Sequence, residues 1–204
     1  QSRRRQKGAG LGLLGLAVLA VLLLAYLLFG GSSGGETSSR QAPVIELNGI
    51  IDQASTDYAA RVIEEAEDNG APLVVIRIES AGGRQDAARK LIEAMESSPL
   101  PVFAWVGPAG GRSASMGTLI FCAADVAALA PGTRLDTIIP EEARLPRAEV
   151  DELAAEARSL SEQNGRNPDW AELAARQPLA LNAESAVSLG AADLQRHAQA
   201  IGLD

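Results

Sequence analysis

The stretch GPAGGRSASMGTLI, residues 107–120, decides how this chain is read. It follows a strand-like apolar run, Val102 to Val106, and leads into a helix-like apolar one. Ser115 therefore falls at a glycine-rich strand-to-helix turn. Backbone N–H groups and the positive end of a helix dipole can stabilise an anion at such a turn. Catalytic serines often occupy this setting, and a plain helix N-cap also uses serine. Arg112, three residues before Ser115, is a candidate contact for a substrate carboxylate.

Outward from this turn, strand-like and helix-like segments alternate. Val44 to Leu47 reads as a strand closing on Asn48-Gly49. In Ser55 to Asp68 the spacing of Tyr58, Val62, Ile63 and Ala66 predicts one helical face. Leu73 to Ile78 (LVVIRI) is the apolar, β-branched run of a buried parallel strand. Ala81-Gly82-Gly83 reads as a tight turn, and Asp86 to Met95 as a helix with Ala88, Leu91, Ile92 and Met95 inward. Val126 to Leu129 is a further strand, ending at Pro131-Gly132. Amphipathic helices are expected over Ala148 to Ser161, Pro168 to Arg176 and Ala183 to Leu189. Asn182 caps the last of them and Gly190 stops it. Strands and helices alternating in units of about 30 residues imply βαβ crossovers on a largely parallel sheet, an α/β fold. Ligands in such sheets bind at the C-terminal ends of strands, so Gly82-Gly83 and Gly110-Gly111 are expected to face one cleft.

The 204 residues suffice for one globular domain, expected over residues 43–195, plus an appendage. Arg3, Arg4, Arg5 and Lys7, in a basic flank over residues 1–7, precede an uncharged apolar run over residues 8–31. That run is long enough for a ~30 Å hydrocarbon core, which needs about 20 residues. It is longer than the ~7–15-residue apolar core of a signal peptide, and no A-x-A-like site follows it, so an uncleaved anchor is expected. Basic residues flank it on the N-terminal side, which predicts a single-pass topology with the N-terminus cytoplasmic and the domain outside. A Gly/Ser-rich linker follows over residues 32–42, and residues 196–204 form a polar tail. Residues 1–40 carry five basic side chains and one acid, Glu36, so a chain of net charge −8 leaves −12 on residues 41–204. Such a domain is a poor partner for nucleic acid or an anionic bilayer surface. The single cysteine, Cys122, excludes an internal disulfide and a Cys-rich zinc site, and its apolar surroundings (LIFCAADV) predict a buried thiol. Trp105 and Trp170 are expected in the core, and Asp125 at a strand turn. No metal or cofactor is expected.

Several segments together resemble the ClpP/crotonase-like superfamily, and within it the NfeD-type membrane-bound serine proteases. These are VIELNGIID (44–52), IRIESAGGR (76–84), PAGGRSASMGT (108–118), DVAALAPGT (125–133), GRNPDW (165–170) and LNAESAVSLGAADL (181–194). The resemblance implies repeated ββα/βαβ units and a homo-oligomer acting on peptide or membrane-protein substrates. It makes Ser115 the nucleophile, with an oxyanion hole from the N–H of Met116 and one from Gly82 or Gly83.

The chain also departs from that pattern. NfeD-type proteases resemble Ser–Lys dyad enzymes, yet the segment before GRN has no lysine, and Ala148 falls near its place beside Arg147. Arginine cannot accept a proton near neutrality. The chain has only two lysines, Lys7 and Lys90, and one histidine, His197 in the polar tail; Lys90 is expected to be solvated. An acid from the Asp136 to Glu142 loop is a further candidate base, weak unless burial raises its pKa. Alanine at Ala81, in place of the family's proline, alters the oxyanion turn. Two functions follow: a membrane-anchored serine peptidase acting through Ser115, or a catalytically impaired pseudo-protease serving as a peptide-binding or membrane-assembly module. A crotonase-type acyl-CoA enzyme would use the same oxyanion hole, but an exported, acidic domain disfavours it.

Overall fold

The computed structural model describes residues 41–140 and 142–195. The expected basic flank, anchor and most of the linker, and His197 in the tail, lie outside the described residues. Among the described residues no helix is long and apolar enough to cross a membrane.

The fold is built on β2 (Val74–Gly83). Val74, Val75, Ile76 and Ile78 are all buried, as a strand covered on both faces requires. β1 (Val44–Ile51) runs parallel to β2 along almost its whole length, shifting register between Gly49 and Ile50. The other edge of β2 is shared. Val74 to Ile78 pairs with β3 (Val102–Val106), and Ser80 pairs with Ser113 of the two-residue β4 (Arg112–Ser113), both parallel. β5 (Val126–Leu129) continues from β3 and β6 (Arg134–Leu135) from β4. The short β7 (Leu181–Asn182) and β8 (Leu194–Gln195) close the two ends, and among the described residues only β6–β7 is antiparallel. The sheet is thus largely parallel, as expected, and the β2 fork opens beside the serine turn.

α1 (Gln53–Asp68) and α2 (Gln85–Ser97) make the crossovers between β1, β2 and β3. α1 starts on a reciprocal capping box between Asp52 and Ser55. It buries Thr56, Ala59, Ile63 and Ala66; Tyr58, expected inward, is half exposed, because the buried stripe is rotated toward Ala59. α2 buries the residues its spacing predicts, with Ala87 added. The Ala81-Gly82-Gly83 segment is not a turn. It continues β2, because Gly83 lies so close to β1 that a Cβ would sit 2.4 Å from the Ile51 carbonyl oxygen.

α3 (Met116–Ala123) is buried at every position, the pattern of a helix inside a core. Its C-terminal carbonyls are capped from a distance. α4 (Arg147–Gln163) ends near Asn164, whose amide donates to the carbonyls of Cys122 (3.3 Å) and Ala123 (3.2 Å). Arg166 donates to those of Cys122 (2.8 Å) and Ala124 (2.6 Å), and pairs with Asp193 at 3.0 Å. A cation at a helix C-terminus also complements the dipole. Burial pushes the Cys122 thiol pKa up, so it is an unreactive structural thiol as expected. α5 (Pro168–Arg176) and α6 (Ala183–Ser188) follow, N-capped by Asn167 and Asn182. Trp105 and Trp170 are both buried, and Asp125 accepts the Val102 N–H at 2.7 Å, tying the β5 turn to β3.

Arg166 is buried and its side chain bonds two chain segments, the end of α3 and Asp193, so Arg166→Ala should destabilise the fold by about 3 kcal/mol, as loss of buried charge-assisted hydrogen bonds does. Urea unfolding followed by circular dichroism checks this; a loss below about 1 kcal/mol would mean that the clamp is dispensable.

Candidate functional site

Ser115 is the N-cap of α3 and has φ 53° and ψ −122°. Among the described residues it is the one non-glycine with positive φ. Such backbone costs about 1–3 kcal/mol and persists only where its surroundings enforce it. Five contacts do so. The Ser115 N–H donates to Thr137 O at 2.8 Å, and the Ala114 N–H to Ser80 O at 3.0 Å. The Asp136 N–H donates to Ser113 O at 2.8 Å. The Thr118 hydroxyl lies within hydrogen-bond distance of both Ser113 O and Asp136 O, at 3.0 and 2.9 Å. The turn is thus laced between the end of β2 and the segment after β6.

The serine does not cap its helix: its side chain makes no capping hydrogen bond, and its carbonyl instead accepts from Thr118 and Leu119. The sharp turn presents the hydroxyl to a cavity, as nucleophile elbows do. Gly82 makes room for it. A Cβ at Gly82 would meet Ser115 Cβ at 3.3 Å and Oγ at 3.6 Å, and the φ of +147° there suits only glycine.

Of the three expected oxyanion donors, Met116 is the first residue of α3, where an N–H has no intrahelical acceptor. No described residue accepts from it. The Gly82 N–H already donates to Ser80 Oγ at 3.2 Å, which leaves Gly83 as the β2 candidate.

A cavity of about 440 Å³ opens over Ser115. Ala81, Pro140, Pro178 and Leu179 give it an apolar wall; Arg112, Asp136 and Glu142 give it a polar one. Gly110-Gly111, expected to face this cleft, does not line it. That pair sits instead by the β5–β6 turn, where a Cβ on Gly132 would lie 3.9 Å from the Gly110 N.

The candidate bases do not converge on the serine. Ala148 lines a different cavity, with Arg84, Gln85 and Arg89. Lys90 is half exposed and pairs with Asp57 of α1 at 2.6 Å. Among the described candidates, only the loop acids reach the cleft. Asp136 is buried, and its Oδ2 lies 3.0 Å from Arg134 and 3.9 Å from Arg112. Its Oδ1 is buried without a partner. Glu142 stands exposed at the rim. Neither a lysine nor a histidine lines the cavity among the described residues.

Sequence reasoning missed Thr137, whose carbonyl holds the strained turn, and the Pro178–Leu179 wall. The Gln177-Pro178 break after α5 was the available signal. Because Ala keeps the strain at position 115 and Gly relieves it, Ser115→Gly should be more stable than Ser115→Ala by about 1 kcal/mol. This is the strain less the ~0.5–1 kcal/mol backbone entropy of glycine. Chemical unfolding of the two variants checks it; an alanine variant as stable as the glycine one would remove the strain.

Residues 41–194 match the family described as NfeD1b, N-terminal domain. The chain is 30% identical over 155 residues to the membrane-bound protease PH1510 of Pyrococcus horikoshii, covering 72% of this chain and 35% of that protein. It is 25% identical over 191 residues to the membrane protein NfeD1b of Bacillus subtilis, covering 85% and 42%. The chain therefore spans less than half the length of either relative. Among solved structures, it resembles the 1510-N membrane-bound stomatin-specific protease, in a lysine-to-alanine variant bound to a substrate peptide. The TM-score is 0.72 at 29% identity, over 76% of this chain and 74% of that one. A serine-to-alanine variant of the same protease gives a TM-score of 0.72 at 28% identity, over 76% and 79%. With the family match spanning three quarters of its length, this chain belongs to the NfeD1b N-terminal domain family.

Proposed function

We propose that this chain is the peptidase-like part of a membrane-anchored NfeD-class protein. It holds a peptide in the cleft over Ser115 and acylates that serine slowly. The observation that carries this reading is the strained Ser115 backbone, kept at a cost and set beside a glycine that leaves its hydroxyl clear. The acyl oxygen would be received by the N–H of Met116, with Gly83 as its partner; one such donor is worth about 10²–10³ in rate. The relatives support the substrate class, since the similar solved protease carries a substrate peptide. The basic flank and apolar run over residues 1–31 support a single-pass anchor with the domain outside the cytoplasm. Homo-oligomerisation remains part of the proposal.

Among the described residues no lysine or histidine lines the cleft, which favours a second reading, a peptide-binding or assembly module whose serine is inert. Geometry and oxyanion donors without a base still leave about 10³–10⁴ over water in serine proteases, which is the scale expected for the first reading.

Treatment of the full chain, in detergent, with a fluorophosphonate probe separates the two. A one-to-one adduct by intact mass, lost in Ser115→Ala, is expected. No adduct on a folded chain would leave only the binding module.

A further inference from the structure

Two arginines, Arg112 and Arg134, meet beside this cleft, although residues 41–204 carry a net −12. Arg112 of β4 and Arg134 of β6 are direct register partners on adjacent parallel strands. Like charges in that relation are unfavourable. One carboxylate, that of Asp136, stands between them, and its contacts are unequal. Arg134 donates a hydrogen bond to Oδ2 at 3.0 Å, whereas Arg112 approaches the same oxygen only to 3.9 Å. The Arg112 side chain is half exposed, lines the cavity with Ser115, and makes no hydrogen bond to any described residue. Its fork of donors is the geometry that takes a carboxylate in two parallel bonds.

We infer that Arg112 is a recognition site for a single carboxylate on the peptide held over Ser115. This inference rests on the reading of the cleft as a peptide site and names the kind of peptide it selects. Pro140, Pro178 and Leu179 give the same cavity apolar lining. The matching ligand is an apolar peptide bearing one negative group close to the carbonyl presented to Ser115. Glu142 at the rim sets the limit of one: a second carboxylate would meet its like charge. The carboxylate can come from an acidic side chain or from a peptide C-terminus, since both offer the same two oxygens.

The test is titration calorimetry of the 204-residue Ser115→Ala chain in detergent at low salt, which reads binding whether or not the serine turns over. Three probes share one framework: acetyl-Ala-Leu-Glu-Leu-Ala-amide, its glutamine counterpart, and the glutamine peptide with a free C-terminus. One of the two carboxylate peptides should bind roughly five- to tenfold more tightly than the neutral one. Which of them does so identifies the source. Adding Arg112→Gln should abolish the preference, and adding Glu142→Gln should enlarge it. Equal affinity for all three peptides would overturn the inference while leaving the peptide cleft standing. A preference that survives Arg112→Gln, or no binding of any probe at millimolar concentration, would also overturn it.

Discussion

The hydrogen bond from the Ser115 N–H to Thr137 O is the constraint on which the site depends. It joins the start of α3 to the segment after β6 and holds the serine in a backbone region that residues other than glycine rarely enter. Without it the turn would relax toward ordinary helix-cap geometry, and the hydroxyl would fold back onto its own helix. With it, the hydroxyl faces the cavity and the first helical amide is left with open donor capacity. Gly82 is the necessary counterpart, because any side chain there would crowd the serine.

The rest of the fold keeps α3 in place. An eight-residue helix buried at every position has no polar face to orient it, so its direction is set by its ends. The N-terminal end is held by the bonds around Ser115, and the C-terminal end by Asn164 and Arg166 from the α4–α5 connection. Asp193 links the Arg166 clamp to β5 by accepting the Ala127 N–H at 2.7 Å. The parallel sheet supplies the third support, because the fork of β2 is where β4 enters and where the cleft opens. What the site lacks is equally physical: the start of α4, where Ala148 stands, borders α2 and not the serine cavity.

Much of this was legible in the chain. β3, β5 and α5 have the bounds read from their apolar runs and proline or glycine stops, because long or well-punctuated segments carry their own signal. Ser115 was legible because glycines and an apolar helix bracket it. The Ala81-Gly82-Gly83 segment was misread as a turn, since a glycine pair signals either a turn or a close approach of strands, and only the neighbouring β1 decides between them. The two-residue strands β4, β6, β7 and β8 are too short to show any period. The Arg112–Arg134–Asp136 cluster escaped because it depends on register between strands far apart in sequence. Family resemblance located the missing lysine, and the structure adds that Lys90 does not replace it.

Under the proposed function, Ser115 is primed by backbone geometry and not by a titrating base. The most direct test is the pH dependence of its phosphonylation rate by a fluorophosphonate, measured on the full chain in detergent. Without a base the rate follows the fraction of ionised hydroxyl. It should then rise steadily with pH from about 6 to 9 with no plateau. A plateau with an apparent pKa near 7 would contradict the account, because it would reveal a general base acting on the serine.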